Sequence, residues 1–167
     1  AYGNKMIDFL NVLGGGMLEG KKLKAIIPGG SSCPILTASE VEKAVLDYES
    51  MWDIGSTLGT GGMIVIDEDT SMVEVAKNII EFYHHESCGQ CTPCRLGVNE
   101  LLNGVIELKK GKLSLNKLNK LIELANTIKL SSKCGLGTGS VNGFLSLVEN
   151  FKEDILGRIE GEKHGNS

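Results

Sequence analysis

Three cysteines that lie within seven residues, Cys88, Cys91 and Cys94, form the part of the sequence best suited to redox chemistry. Their C-x2-C-x2-C spacing lets three thiolates hold three irons of a 4Fe–4S cubane, while a remote cysteine holds the fourth iron. Cys134 is the candidate for that remote ligand, since Cys33 lies in the other half of the chain. The sequence therefore predicts one 4Fe–4S site on Cys88, Cys91, Cys94 and Cys134.

The residues around this triplet suit an anionic cluster. Gly89 lets the backbone approach the inorganic sulfur atoms closely. Thr92 as N-cap and Pro93 as the first helical residue predict a helix that starts just before Cys94. The cysteines then lie near the positive end of the helix dipole, which stabilises thiolates. Arg95 adds a positive charge beside them.

Structural zinc is the main alternative chemistry, although it usually takes two separated pairs of ligands instead of a triplet and a single cysteine. A thioredoxin-like redox pair is disfavoured, because no predicted strand leads into the motif. Cys33, which precedes Pro34, is interpreted as a small, partly buried residue. Five cysteines, three of them clustered, favour a metal site in a reducing cytosol over a secreted disulfide framework.

Four further features near the cysteines are weaker candidates. His84 and His85 fall at a predicted helix end, where a solvated role is favoured over a ligand role. Glu86 could accept a local hydrogen bond or tune the cluster. The glycine-rich segment 135–139 resembles part of a dinucleotide fingerprint, but it lacks the preceding strand and the βαβ context. It is interpreted as a bend beside Cys134.

The elements that must position these residues are helical from about residue 70 onwards. Ser71 and Glu74 predict a capping box at the start of the first helix. The helices are indicated by apolar residues at helical spacing: Met72 to Tyr83, Val98 to Ile106, Leu118 to Ile128, and Val141 to Ile155. Four helices with short connections predict a small bundle.

The first part of the chain is mixed. A helical pattern begins near Met6, and short strands are predicted over 23–27 and 63–66. The fold class is therefore α+β, with a first domain over 1–69, a helical domain over 70–158 and a disordered tail over 159–167.

Composition excludes several function classes. The chain has 17 basic and 21 acidic residues and a net charge of -4, which disfavours binding to nucleic acid. No apolar run approaches the roughly 20 residues of a membrane-spanning helix, so direct membrane insertion is not expected. The first residue is alanine, which suggests a cut inside a longer protein.

Four segments of the sequence resemble one family, the NADH-binding flavoprotein subunit of respiratory complex I (NADH–quinone oxidoreductase) and the related diaphorase subunits. They are Pro28–Ser32, Leu58–Val65, the cysteine segment Glu86–Arg95, and Ser132–Gly137 around the fourth cysteine. The resemblance covers about residues 4 to 158, and so corresponds only to the C-terminal portion of such subunits.

The resemblance implies a partial β-grasp module followed by a four-helix-bundle 4Fe–4S domain, with Cys88, Cys91, Cys94 and Cys134 as the ligands. It implies electron transfer from FMN, bound with NADH by an N-terminal domain that is absent here, to further iron–sulfur centres. The implied partners are other subunits of an NADH-oxidising complex, including a neighbouring iron–sulfur subunit. The implied location is cytoplasmic, or peripheral on the cytoplasmic membrane face through those partners.

The residues leave two other assignments of the chain open. The chain could be a fragment of the diaphorase subunit of an NAD-linked hydrogenase or formate dehydrogenase. It could also be a free-standing ferredoxin-like carrier. Because no βαβ glycine-rich unit is predicted, these 167 residues alone are not expected to bind FMN or to oxidise NADH.

Overall fold

A computed structural model describes residues 3–159 and divides the chain into two compact units, the first ending at Thr70 and the second beginning at Ser71. The first unit combines helices with a small sheet, and the second is built from helices, so the protein belongs to the α+β class. Within the described range, no helix has the length and apolar character needed to cross a membrane.

The first unit is organised around a three-stranded antiparallel sheet whose central strand is β1. Its elements are α1 (Met6–Val12), β1 (Leu23–Ile27), β2 (Leu36–Thr37), α2 (Ala38–Val41), α3 (Tyr48–Asp53) and β3 (Ile64–Asp67). The last three residues of β1 are apolar and almost completely buried, as expected for a strand in the core. Apolar residues of α1, α2 and α3 pack with the sheet to form the core of this unit.

Two glycine-containing loops of the first unit meet at backbone contact distance. A Cβ placed on Gly29 would lie 2.1 Å from the carbonyl oxygen of Leu58, so only glycine fits there. The Thr60 N–H donates to the Gly29 carbonyl at 3.2 Å. Cys33 is buried beside these loops, with its sulfur 3.2 Å from the Thr57 hydroxyl. This cysteine therefore belongs to the packing of the first unit, as interpreted from the sequence.

The second unit consists of helices around one apolar core. They are α4 (Met72–Glu86), α5 (Val98–Lys109), α6 (Leu115–Ser131), α7 (Gly135–Gly139), α8 (Asn142–Asn150) and α9 (Lys152–Leu156). Helix α4 packs against α5 and α8, and α5 packs against α6. Leu101, Leu121 and Phe144 are at most 2% exposed in this core. Gly104 of α5 lets Leu121 of α6 approach closely, since an added Cβ would lie 2.2 Å from it.

The predicted continuous helix from Val141 to Ile155 is wrong. Phe151 leaves the helical region with φ −124° and ψ 47°, and separates α8 from α9. Its side chain nevertheless stays buried, as does that of Ile155. The apolar pattern continues across the break because both short helices bury one face in the core, and this is why the sequence concealed the break.

The predicted capping box at the start of α4 is also wrong. Ser71 does occupy the N-cap position with an extended backbone, but its hydroxyl accepts a hydrogen bond from Arg158 at 3.4 Å. Glu74 is instead paired with Lys109, with 2.6 Å between the carboxylate oxygen and Nζ. The hydrogen bond from Lys109 holds the pKa of the Glu74 carboxyl below its usual value. Both side chains thus have tertiary partners that a local motif does not anticipate.

The described residues of the second unit end in an isolated β-bridge. Ile159 is buried and pairs with Leu113 in parallel orientation. The described chain therefore includes the first residue of the predicted tail 159–167, while residues 160–167 lie outside the described residues.

Candidate metal centre

The three clustered cysteines lie in the segment that joins α4 to α5. Beyond the end of α4, the backbone becomes extended at Ser87 and reverses at Gly89, whose φ is +73°. A residue with a side chain rarely adopts that dihedral angle, so glycine is required at this turn. Cys94 lies in a π-helical turn, Pro93–Gly97, that leads into α5. Such turns are rare and occur often at functional sites.

The predicted N-cap role of Thr92 is wrong. Its dihedral angles, φ −56° and ψ −43°, are helical, whereas an N-cap residue is normally extended. The helical path begins earlier than predicted because the wider π-helical turn absorbs Pro93 and Cys94 before the regular helix starts at Val98.

The fourth candidate, Cys134, lies between α6 and α7 in an extended conformation. Two contacts join this segment to the cysteine triplet. The backbone N–H of Lys133 donates to the Cys91 sulfur. A Cβ placed on Gly137 would lie 3.4 Å from the Cys94 Cβ, so the turn after Cys134 packs directly on Cys94. The structure therefore brings the two cysteine-bearing segments together.

The four cysteines proposed as ligands differ in their exposure. Cys91 and Cys94 are buried, whereas Cys88 and Cys134 are exposed.

Among residues 3–159, no three histidine, cysteine, aspartate or glutamate side chains converge closely enough to hold one metal ion. Structural zinc needs four ligands around a single point. A cubane instead takes one thiolate on each of four irons, so its ligands surround a larger volume.

Hydrogen-bond donors surround the buried sulfurs. Backbone N–H groups of Lys133 and then Cys94 lower the pKa of the Cys91 thiol, against the opposing effect of burial, and the Lys133 charge acts in the same direction. The Ser87 hydroxyl lies 3.2 Å from the Cys94 sulfur. The lowered pKa favours the thiolate form of Cys91, which is the form that binds iron.

Arg95 closes the turn that carries Cys88 and Cys91. Its guanidinium donates to the Gly89 carbonyl at 3.0 Å, and its backbone N–H donates to the Cys91 carbonyl at 2.9 Å. The arginine thus fixes the turn as well as supplying the positive charge that the sequence indicated.

The weaker candidates stay at the periphery. His84, His85 and Glu86 are exposed at the end of α4, where the His85 Nδ1 lies 3.0 Å from a Glu86 carboxylate oxygen. The glycine-rich segment Gly135–Gly139 is the short helix α7, and it follows α6 instead of a strand. It therefore has no dinucleotide-binding architecture, and it serves to turn the chain over Cys94.

The ligand types and hydrogen-bond donors at this site are those that a 4Fe–4S cluster requires. Four cysteines come from two adjoining segments, N–H and hydroxyl donors face the buried sulfurs, and Gly137 leaves space where a side chain would intrude. Sequence reasoning missed the parts played by Ser87 and Lys133, each of which directly precedes a cysteine. It interpreted the segment of Gly137 as a bend but did not identify its contact with Cys94.

Gly137→Ala is expected to lower iron retention and to destabilise the second unit by about 1–3 kcal/mol, the usual cost of overpacking. The new Cβ would lie 2.6 Å from the Ser132 Cβ, which is fixed to the backbone and cannot move aside. Iron analysis and urea unfolding of the reconstituted protein measure both effects.

Gly135→Ala is the matched control, since within the described chain nothing lies within 4 Å of its added Cβ. It should keep its iron and gain up to about 1 kcal/mol in helix propensity. Equal iron loss in the two variants would contradict the contact between the Gly137 turn and Cys94.

Comparison with known proteins gives a consistent result. Residues 74–158 match the family described as the NADH-ubiquinone oxidoreductase-F iron-sulfur binding region. An F-type subunit of NADH-quinone oxidoreductase, the one numbered 2 in Rhizobium meliloti (strain 1021), is 40% identical over 146 residues, which are 87% of this chain and 34% of that protein. The F-type subunit of the NADH-quinone oxidoreductase of Rickettsia bellii (strain OSU 85-389) is 38% identical over 161 residues, which are 96% of this chain and 39% of that protein.

A solved structure shares the fold. The NAD+-reducing NiFe hydrogenase in the air-oxidised state superposes with a TM-score of 0.83 at 25% identity, over 95% of this chain and 26% of that one. The chain spans between about a third and two-fifths of the length of the relatives that it matches in sequence.

Proposed function

Because the chain belongs to the family of NADH-ubiquinone oxidoreductase-F iron-sulfur binding regions, we propose that it is the electron-transfer part of an NADH dehydrogenase subunit. Cys88, Cys91, Cys94 and Cys134 hold a single 4Fe–4S cluster. The observation that carries this assignment of ligands is the pair of contacts through which Lys133 and Gly137 bring the Cys134 segment onto Cys91 and Cys94.

The cluster, when bound, supplies one-electron redox chemistry. The chain's own residues set its surroundings. The buried Cys91 and Cys94 hold it on the side of the helical core, and the N–H groups of Lys133 and Cys94 stabilise thiolate charge there. The exposed Cys88 and Cys134 leave the opposite side near the surface, where an electron-transfer partner can approach.

The remaining roles belong to the whole subunit. FMN and NADH bind to an N-terminal domain outside this chain, and electrons leave towards further iron–sulfur centres in a neighbouring subunit. The first unit is a partial β-grasp module and the second a four-helix bundle built on α4, α5, α6 and α8. The complex is cytoplasmic, or peripheral on the cytoplasmic membrane face.

A second candidate is the diaphorase part of an NAD-linked hydrogenase. It is favoured by the superposition on the NAD+-reducing hydrogenase, which covers nearly the whole chain. The higher sequence identity to the two F-type relatives, 38–40% against 25%, supports the complex I-type assignment as the first choice.

Anaerobic reconstitution with iron and sulfide tests the proposal. The chain should take up about four irons and four sulfides and turn brown, and dithionite should bleach it and produce a paramagnetic signal. Zinc as the sole tightly bound metal, when iron and zinc are offered together, would refute the cluster. Because the chain alone should not oxidise NADH, NADH should leave the colour unchanged in the absence of a flavin domain.

A further inference from the structure

We propose that Ser132 is a positioning residue of the iron–sulfur centre: its hydroxyl donates a hydrogen bond to a sulfur atom of the bound cluster, thiolate or sulfide, and so raises the reduction potential. The inference rests on the proposed function. It adds a role for a residue that is not a ligand.

The first observation is that the Ser132 hydroxyl is buried and unpaired. Its oxygen is inaccessible to solvent and has no hydrogen-bond partner among residues 3–159. A buried hydroxyl without a partner loses its hydrogen bonds to water and gains none in return, so it is destabilising. Its neighbour Ser131 shows the ordinary arrangement, since that hydroxyl donates to the Thr127 carbonyl one turn earlier at 2.5 Å. Ser132 has left the helix, with an extended backbone at ψ 143°.

The second observation is where this hydroxyl lies. The Ser132 oxygen is 2.6 Å from the position that a Gly137 Cβ would take, and the Cys94 Cβ is 3.4 Å from the same position. The next peptide N–H along the chain, that of Lys133, donates to the Cys91 sulfur. Ser132 therefore lies beside both buried cysteines and two residues before Cys134, so a cluster held there would supply the missing acceptor.

The chemistry gives the sign of the effect. A serine hydroxyl has one proton to donate, and the sulfur atoms of an iron–sulfur cluster are anionic acceptors. Reduction adds negative charge, so a hydrogen bond to sulfur stabilises the reduced state more than the oxidised state and raises the potential. Ser87, whose hydroxyl lies 3.2 Å from the Cys94 sulfur, provides a second donor of the same kind on the other segment.

The test compares the cluster's midpoint potential in three proteins: the unsubstituted chain, called the parent here, and the variants Ser132→Ala and Ser131→Ala. The potential is measured by redox titration monitored by electron paramagnetic resonance. Ser132→Ala should titrate at a more negative potential than the parent. Ser131→Ala removes a hydroxyl that is already paired with Thr127, and should titrate with the parent. Identical potentials for the parent and Ser132→Ala would overturn the inference, as would an equal shift in both variants.

A second readout separates hydrogen bonding from packing. After exchange into D2O, deuteron couplings to the reduced cluster should include one in the parent that Ser132→Ala lacks. A shifted potential with all the couplings retained would indicate a purely structural role and would overturn the donation. Should Ser132→Ala fail to keep the parent's helix content, Ser132→Gly replaces it, because it also removes only side-chain atoms. Failure of the parent chain itself to take up a cluster would refute the proposed function; an unshifted potential would refute only the role of Ser132.

Discussion

Cys134→Ala is expected to abolish the four-iron centre. The variant should retain either a labile centre of about three irons per chain or no iron at all. The cubane needs a thiolate on each iron. Cys134 lies in the segment after α6 that contacts the triplet, so it is the cysteine placed to hold the fourth iron. Alanine removes the ligand without disturbing the backbone, since Cys134 is exposed. Iron and sulfide analysis after anaerobic reconstitution, with the visible spectrum, measures the loss.

Cys33→Ala is the matched control, because it removes a cysteine that is packed in the first unit beside Thr57. The variant should keep the parent's iron content, although losing a 2% exposed side chain costs some stability in the first unit. Full iron in Cys134→Ala together with reduced iron in Cys33→Ala would show that the fourth ligand has been chosen wrongly.

Removal of the cluster is expected to release the two cysteine-bearing segments, 87–97 and 132–141, while leaving the helical core in place. A ligand at 100 times its dissociation constant stabilises the state that binds it by about 2.7 kcal/mol. Amide protection in these segments should therefore fall by about 100-fold or more in the apo protein. The residues Leu101, Leu121 and Phe144 are apolar and buried, so we expect the core that they form to stay folded without the ligands.

Hydrogen exchange on the holo protein and on the chelator-treated protein checks this expectation. The central turns of α5 and α6 provide the internal reference, and should exchange at similar rates in both forms. Equal protection of 87–97 in the two forms would mean that the cluster adds no local stability. Loss of protection throughout α5 and α6 would mean that the helical core needs the cluster to form.

The sequence was most informative where the pattern is local. The apolar spacing predicted α4, α5 and α6, and the family resemblance read from the cysteine segment is confirmed by the match over residues 74–158. The break at Phe151 could not be predicted, because its ring stays in the core while its backbone turns. The capping box failed for a similar reason, since Arg158 and Lys109 reach its residues from distant positions.

The surroundings of the candidate site were predicted less completely. The identities of the four proposed ligands follow from cysteine spacing and remain a prediction. The Lys133 donor and the close approach of Gly137 depend on how the segment after α6 folds back onto the triplet. Such contacts join residues about 40 positions apart, and no local propensity encodes them.

The π-helical turn Pro93–Gly97 has a consequence for which changes in chain length the protein can tolerate. Each residue of a regular helix turns the chain by about 100°, and a π-helical turn holds one residue more than a regular turn would. Deleting Leu96, whose side chain is 59% exposed, would let the turn become an ordinary helix. The same deletion would swing Cys91 around the axis of α5, away from the Lys133 amide that it now meets. The extra residue thus sets the angle at which Cys91 lies around the axis of α5. The number of residues between Cys91 and Val98 is therefore fixed by geometry, even where the side chains make few contacts.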